Sequence, residues 1–162
     1  MRGTFDNSFG NAAVLWNMLQ DRLPDNVVVA FTGDEEKDSH GAVQTVVALG
    51  QMGCEIAAVL VLDVTNEGWE SGALFTLEND LGIDVLTGYN LISSLEQYAG
   101  RFAFKHNALP DESWDYADYG IPSLTLCVPV CGELHSDAGV LLRKDSVEHY
   151  CKALSVVLNA LI

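Results

Sequence analysis

Two long apolar runs along the chain predict buried strands. The first, Asn26 to Thr32, contains five consecutive apolar residues, and the second extends from Ile56 to Val64. Continuous apolar runs of this length, rich in Val and bounded by polar residues, are typical of strands buried on both faces. Acidic residues follow the first run, at Glu35 and Glu36, and Asp63 lies at the end of the second. We therefore expect carboxylates at the carboxyl ends of two buried strands.

A helical pattern separates these two runs. Ala42 to Leu49 has apolar residues at helical spacing and is followed by glycines that end helices. Two strands joined through a helix predict a right-handed crossover, in which the strands are parallel neighbours. Glu35, Glu36 and Asp63 would then lie together at one edge of the sheet, where ligands bind in open α/β folds.

The rest of the chain fits the same architecture. Met1 to Phe5 is too short to predict a strand, and Asp6 precedes a helical pattern that Pro24 ends. His135 lies in a loop after a predicted strand. We expect one α/β domain over residues 1–162, a three-layer sandwich with a mostly parallel central sheet. The further elements predicted are short strands at Ala73–Leu77 and Arg101–Lys105, a short helix at Leu91–Tyr98, a strand at Ser123–Val128 and a final helix from Asp145.

Composition narrows the possible partners. The 162 residues carry a formal net charge of −15 and only eight Lys and Arg in total, which argues against a nucleic-acid partner. No apolar run approaches the length of a membrane span, and no basic start precedes an apolar segment, so we expect a cytoplasmic, untargeted protein without a membrane partner. The four cysteines lie mostly in apolar segments, which favours thiols over disulfides.

Five residues in loops are candidates for a metal site: Asp6, Glu35, Glu36, Asp63 and His135. Carboxylate and imidazole groups suit a divalent metal such as zinc, cobalt or manganese. A metal would also relieve the repulsion among these clustered anions. Adjacent glutamates can differ in role, since one can bind metal while its neighbour accepts a proton from bound water.

A second metal arrangement is open from spacing alone. Cys127-x3-Cys131-x3-His135 has the spacing of zinc ligands, but no second cysteine pair completes a tetrahedral site. The sequence therefore favours the carboxylate and imidazole set.

Several motifs resemble, in the same order, those of the co-catalytic di-zinc exopeptidases, which include leucyl and glutamyl aminopeptidases and related deacylases. The resemblance extends from Asp6 to the C-terminus. The motifs are Asp6-Asn7-Ser8-Phe9-Gly10-Asn11-Ala12-Ala13, Phe31-Thr32-Gly33-Asp34-Glu35-Glu36-Lys37-Asp38-Ser39-His40-Gly41-Ala42, Ala58-Val59-Leu60-Val61-Leu62-Asp63, Gly120-Ile121-Pro122-Ser123 and Val128-Pro129-x5-His135-Ser136.

The resemblance implies a role for each candidate. Asp6 would bridge two metals and be followed by an unusual peptide bond. Glu35 would be the general base. Glu36 and His135 would bind one metal, and Asp63 the other. The implied substrate is a peptide or amide with a free N-terminus, and the implied cofactor is one or two zinc ions, or cobalt or manganese.

One family motif is missing. Members carry a His-x-Asp motif on a strand upstream of the bridging aspartate, and here only Met1 to Phe5 precedes Asp6. The N-terminal strands of the family's sheet are missing with it. Either the chain is the C-terminal part of a longer polypeptide, or it is a reduced member with one metal at Asp6, Glu36 and His135.

Three functions remain open on this basis. The first is a metal-dependent exopeptidase-like hydrolase, an aminopeptidase that acts on peptide or amide bonds. The second is a non-catalytic peptidase-like module whose exposed sheet edge is covered by a second copy or a partner chain. The third, a small acidic metal-buffering protein, fits the charge but not the position of the ligands at strand ends.

Overall fold

The computed structural model describes residues 1–33, 35 and 39–161. Within them, helices and strands are interspersed along the chain. The strands are β1 (Arg2–Gly3), β2 (Val59–Thr65), β3 (Phe75–Leu81), β4 (Phe102–Lys105), β5 (Ser123–Cys131) and β6 (Val140–Leu142). The helices are α1 (Ser8–Leu19), α2 (His40–Gln51), α3 (Val85–Ser94), α4 (Glu112–Asp118) and α5 (Lys144–Leu161), with a 3-10 turn at Glu96–Tyr98.

Strand β5 is the centre of the sheet. β2 lies parallel to it on one side, with residues 59–65 opposite residues 123–129, and β3 lies antiparallel on the other side. β4 adds parallel to β3. β6 pairs with the last residues of β5, and β1 pairs with β6, both antiparallel. In the part of the chain that the structure describes, β2 pairs only with β5.

The sheet is mixed, which corrects the expectation of a mostly parallel sheet. Among the described strands, three of the five pairings are antiparallel. The direction reverses between β2 and β3, which are joined by the helix-free loop 66–74. A parallel connection needs a crossover of roughly a dozen residues or more, usually a helix. β3 and β4 have such a crossover, through α3, and they are parallel.

Helices cover both faces of the sheet, which confirms the predicted three-layer α/β architecture. Along β2, Leu60 and Leu62 pack against the larger core, to which α1 and α5 contribute. Val61 instead packs with Ala42 of α2 and Tyr116 of α4 in a second cluster. Because successive residues of a strand point to opposite faces, α1 and α5 lie on one face and α2 and α4 on the other.

Most predicted helices and strands are confirmed, with shifted ends, but the N-terminus differs. Arg2 and Gly3 form β1, although this segment was expected to be too short for a strand. The Met1 ammonium group donates a hydrogen bond to the Leu142 carbonyl at 2.7 Å, next to this pairing. A segment of two residues is too short to show the alternation of apolar and polar positions that predicts a strand. Only its pairing with β6 identifies it as one.

The first apolar run is not a strand in the structure. Residues 27–33 have no regular secondary structure, and Val28 and Phe31 are 62% and 57% exposed. The predicted parallel pairing of this run with β2 is therefore wrong, because residues 27–33 form no strand. Among the described residues, β2 pairs only with β5. A cavity separates residues 27–33 from the outer edge of β2. Apolar composition favours a strand, but a strand also needs a hydrogen-bonding neighbour at the right distance.

Two further observations concern the whole described chain. No helix among the described residues is long and apolar enough to cross a membrane. All four cysteines are free thiols; Cys127 and Cys151 are buried, whereas Cys54 is exposed.

Candidate active site

The start of α1 places Asp6 at the carboxyl end of β2. Asn7 caps the helix, its side-chain oxygen accepting the Gly10 N–H at 3.0 Å, and its amide donates to the Leu62 carbonyl. A Cβ on Gly10 would lie 2.5 Å from Asn7 Oδ1 and 3.1 Å from Leu62 Cβ. This close approach of helix and strand therefore requires glycine. The Asp6–Asn7 peptide bond is cis. Asp6 is thus held close to Asp63, the residue after Leu62.

His135 approaches Asp6 from the loop between β5 and β6. Its Nε2 lies 2.8 Å from Asp6 Oδ2. The His135 side chain is 56% exposed and the Asp6 side chain 22% exposed. His135 has a φ of 63°, in the left-handed region that non-glycine residues adopt uncommonly. The structure therefore brings these two predicted residues, 129 positions apart in the sequence, into direct contact.

Asp63 is the most perturbed acid of this group. Its Oδ1 accepts a hydrogen bond from the Val64 N–H at 2.7 Å. Burial raises the pKa of Asp63 to about 8, and the negative charges of Asp6, Asp111 and Glu35 act in the same direction, while the Val64 hydrogen bond opposes them. Several acids are therefore close enough to repel one another, and a bound cation would relieve that repulsion.

Glu35 lines the same cavity as Asp6 and Asp63. Its charge contributes to the raised pKa of Asp63. The structure thus brings together Asp6, Glu35 and Asp63, with His135 in contact with Asp6. Glu36, the remaining predicted ligand, lies outside the described residues.

The cavity extends from this acidic group along the outer edge of β2. Its volume is about 620 Å³. Residues 26–33 and residues 54–63 both line it, together with residues of α1, α2, α4 and α5. Six of the described acids line it, and the rest of the lining is mainly apolar. Glu55 precedes β2 in the chain, and the other five lie near the end of β2: Asp6, Glu35, Asp63, Asp111 and Glu112.

Two of these acids, Asp111 and Glu112, have no role predicted from the sequence. Asp111 caps α4 by accepting the Ser113 N–H at 2.8 Å, and it also accepts the Asn79 amide at 3.1 Å. Glu112 accepts the Thr32 hydroxyl at 3.1 Å, and burial raises the pKa of Glu112. In the sequence, an acidic pair before a short helix is more typical of a helix cap. Only the fold shows that this cap faces the cavity.

The donor atoms present are of the type that binds zinc-like ions, but the described residues supply too few of them in one place. Asp6, Asp63 and His135 supply the carboxylate and imidazole donors that such ions prefer. However, among residues 1–33, 35 and 39–161, no group of three or more His, Cys, Asp or Glu is arranged to hold a metal ion. That result also covers the alternative set of Cys127, Cys131 and His135. The count does not include Glu36.

Comparison with known proteins places the fold in one class. No protein-family model matches the chain, and no curated protein matches it. The chain is similar to the crystal structure of a TET aminopeptidase from a marine sediment archaeon of the Thaumarchaeota, with a TM-score of 0.64 at 18% identity. That match covers 95% of this chain and 47% of the aminopeptidase.

A second similar structure belongs to the same class. The LapA aminopeptidase of Legionella pneumophila matches with a TM-score of 0.56 at 13% identity, over 75% of this chain and 35% of that chain. The chain therefore has the fold of these aminopeptidases, which confirms the resemblance at the level of the fold. It spans about half the length of the TET aminopeptidase that it matches.

Proposed function

We propose that this chain carries the metal-binding part of an aminopeptidase-like hydrolase that acts on a peptide or amide bond at a free N-terminus. The observation that supports this function is the contact between Asp6 and His135, 2.8 Å apart at the carboxyl end of β2, with Asp63 beside them. The aminopeptidase fold supports the same proposal.

In this proposal, Asp6, Asp63 and His135 hold the metal together with Glu36. A divalent metal of this kind, when bound, polarises the substrate carbonyl and lowers the pKa of water. Glu35 takes a proton from the attacking water and passes it to the leaving amine. The acids around the cavity attract the substrate's ammonium group, since opposite charges favour each other in a partly enclosed site.

Metal stoichiometry tests the first half of this proposal. The full chain is stripped with a chelator, dialysed against zinc, cobalt or manganese, and analysed for bound metal per chain. We expect at least one ion, and binding weakened by more than about tenfold in Asp6→Asn and His135→Ala, since both remove a direct ligand.

The chain offers a matched control. His106 Nδ1 lies 2.9 Å from Asp80 Oδ1, in a pair resembling that of His135 with Asp6. The His106 side chain is 71% exposed. His106→Ala should leave metal affinity unchanged.

Hydrolysis of an aminoacyl-arylamide tests the second half. Glu35→Gln should retain the metal and lose turnover by about 100-fold or more, because a general base contributes about that much. Absence of both retained metal and hydrolysis, with the metals added back, would exclude the proposal.

A non-catalytic peptidase-like module is the second candidate. It is supported by the lack, within the described residues, of a group of three or more metal-ligating side chains. This candidate predicts no retained metal and an assembly with a second copy or another chain. A monomer in sedimentation with full metal occupancy would exclude it.

A further inference from the structure

The outer edge of β2 carries backbone groups that point away from β5. Val59 donates its N–H to the Pro122 carbonyl at 2.8 Å. In a parallel pair, every second residue of a strand directs its backbone N–H and carbonyl to the same neighbour, so this bond identifies the residues of β2 that face β5. Residues 59, 61 and 63 therefore bond to β5, whereas the backbone groups of residues 60, 62 and 64 point outward.

Side chains satisfy only part of this outer edge. The Leu62 carbonyl accepts the Asn7 amide, and the Val64 N–H donates to the carboxylate of Asp63. Within the described residues, nothing pairs with the N–H or the carbonyl of Leu60, or with the N–H of Leu62. Such groups on a free edge are a template for a further strand.

The opposite wall of the cavity is held away from this edge. Thr32 donates its hydroxyl to Glu112 at 3.1 Å. A Cβ on Gly41 at the start of α2 would lie 2.5 Å from the Gly33 carbonyl oxygen, so the helix end contacts this wall closely. At the other end, the Val27 N–H donates to the Pro24 carbonyl at 3.1 Å. Residues 27–33 thus line the cavity, and among the described residues no backbone hydrogen bond joins them to β2.

We propose that the space between residues 27–33 and β2 binds one extended peptide strand of a partner polypeptide, apolar along its length and with a cationic residue at the end beside Asp63. The unpaired groups of Leu60 and Leu62 would supply main-chain hydrogen bonds, as in strand addition to other sheet edges. The apolar lining favours apolar side chains, and the acids at the carboxyl end of β2 favour a positive charge there. This inference concerns the sheet edge and does not depend on hydrolysis. Its charge assignment applies to the metal-free chain, because a divalent ion at Asp6 and Asp63 would offset the negative charge of the acids.

Amide hydrogen exchange with a synthetic peptide tests the proposal on the full, metal-free chain. The probe is an acetylated and amidated peptide of six alternating Val and Thr residues followed by two Lys. In the free chain, the amides of Val61 and Asp63 should be protected, and those of Leu60 and Leu62 should exchange faster. The peptide should slow the exchange of Leu60 and Leu62 selectively.

Two controls distinguish strand addition from nonspecific binding of the peptide. The same peptide with two Asp in place of the Lys residues should bind at least about tenfold more weakly, because it places like charges beside the acids. Val28→Asp, on the opposite wall, should weaken binding by about tenfold or more, since it puts a carboxylate into an apolar site. Val28 is 62% exposed, so the substitution should leave the fold intact.

Leu86→Asp is the matched substitution outside the cavity, at a position that is 68% exposed. It should bind the peptide like the parent chain. Leu60 and Leu62 amides that are already protected in the free chain would overturn the proposal, because the edge would then be occupied by residues 27–33 or by a second copy. Equal binding of the Lys and Asp peptides would overturn the charge assignment.

Discussion

The two sides of β2 show what an apolar run needs in order to become a buried strand. On the inner side, β5 is hydrogen-bonded to neighbours along both edges, and Leu124 and Leu126 are fully buried. On the outer side, the equally apolar residues 27–31 have no strand neighbour among the described residues, and Val28 is 62% exposed. Composition therefore sets the tendency of a run to be buried, and a strand partner decides whether burial occurs.

The two sides of β2 also differ in what they contribute to the protein. The inner side of β2 contributes to a continuous core, while the outer side faces a cavity that ends in acidic residues. Interior packing accounts for stability, and the less densely packed side is available for ligands. Substitutions on the two sides should therefore differ sharply in their effect on unfolding.

The largest effect is expected in the core of β5. Leu126→Ala removes a fully buried side chain, so the free energy of unfolding should fall by about 2–5 kcal/mol through lost burial and a residual cavity. Urea unfolding followed by circular dichroism measures this change. A loss below about 1 kcal/mol would mean that the site collapses around the smaller side chain.

A smaller effect is expected where α1 meets the end of β2. Asn7→Ala removes the N-cap hydrogen bond to Gly10 and the bond to the Leu62 carbonyl, which should cost about 1–2 kcal/mol. The same unfolding experiment applies, with Asn11→Ala, at an exposed position of the same helix, as control. Equal stability of the two variants would show that Asn7 does not fix this contact.

A pH-dependent effect is expected at Glu78 of β3, which is 5% exposed. Burial raises the pKa of Glu78, and the Thr76 hydroxyl opposes that shift by donating to it. The folded chain then keeps this proton to higher pH than the unfolded chain does. The free energy of unfolding should fall as pH rises from the ordinary glutamate pKa of about 4.3 through the raised value.

Glu78→Gln cannot ionise, so the variant should lack this part of the fall. Unfolding is measured for parent and variant at a series of pH values, and the difference between them isolates Glu78. Glu70→Gln, at an exposed position, is the control. Parallel pH curves for the parent chain and Glu78→Gln would contradict the prediction.

The smallest effect is expected on the outer side of β2. Val28→Ala should change the free energy of unfolding by less than about 0.5 kcal/mol, since the side chain is already 62% exposed in the free chain. A loss comparable to that of Leu126→Ala would show that residues 27–33 are buried, and the contrast between the two sides would then fail.

Much of the fold could be predicted because it depends on local patterns. The periodicity over Ala42–Leu49 became α2, the apolar run Ile56–Val64 became β2, and the segment after Asp145 became α5. The ordered motifs also identified the fold class. The mixed direction of the sheet was not predicted, although the short helix-free segment 66–74 between two strands is a local signal against a parallel crossover. Only the fold shows that β2 and β3 lie on opposite sides of β5.

The candidate site likewise contains residues that the sequence predicted and residues that only the structure revealed. The residue types at Asp6, Asp63 and His135 indicated metal chemistry from the sequence, since carboxylates and an imidazole followed strands or preceded a helix. The approach of Asp111 and Glu112 to the same cavity could not be foreseen, because a helix cap carries no information about which surface it faces.

By itself, the sequence determined which segments are helical or apolar and which side chains can act as acids, bases or ligands. Those properties reside in each residue and its near neighbours. The tertiary structure alone decided that Asp6 contacts His135. It also decided that β2, within the part of the chain described, pairs with no strand on the side of residues 27–33. Contacts between residues distant in the sequence depend on the register and direction of the strands, which no local pattern encodes.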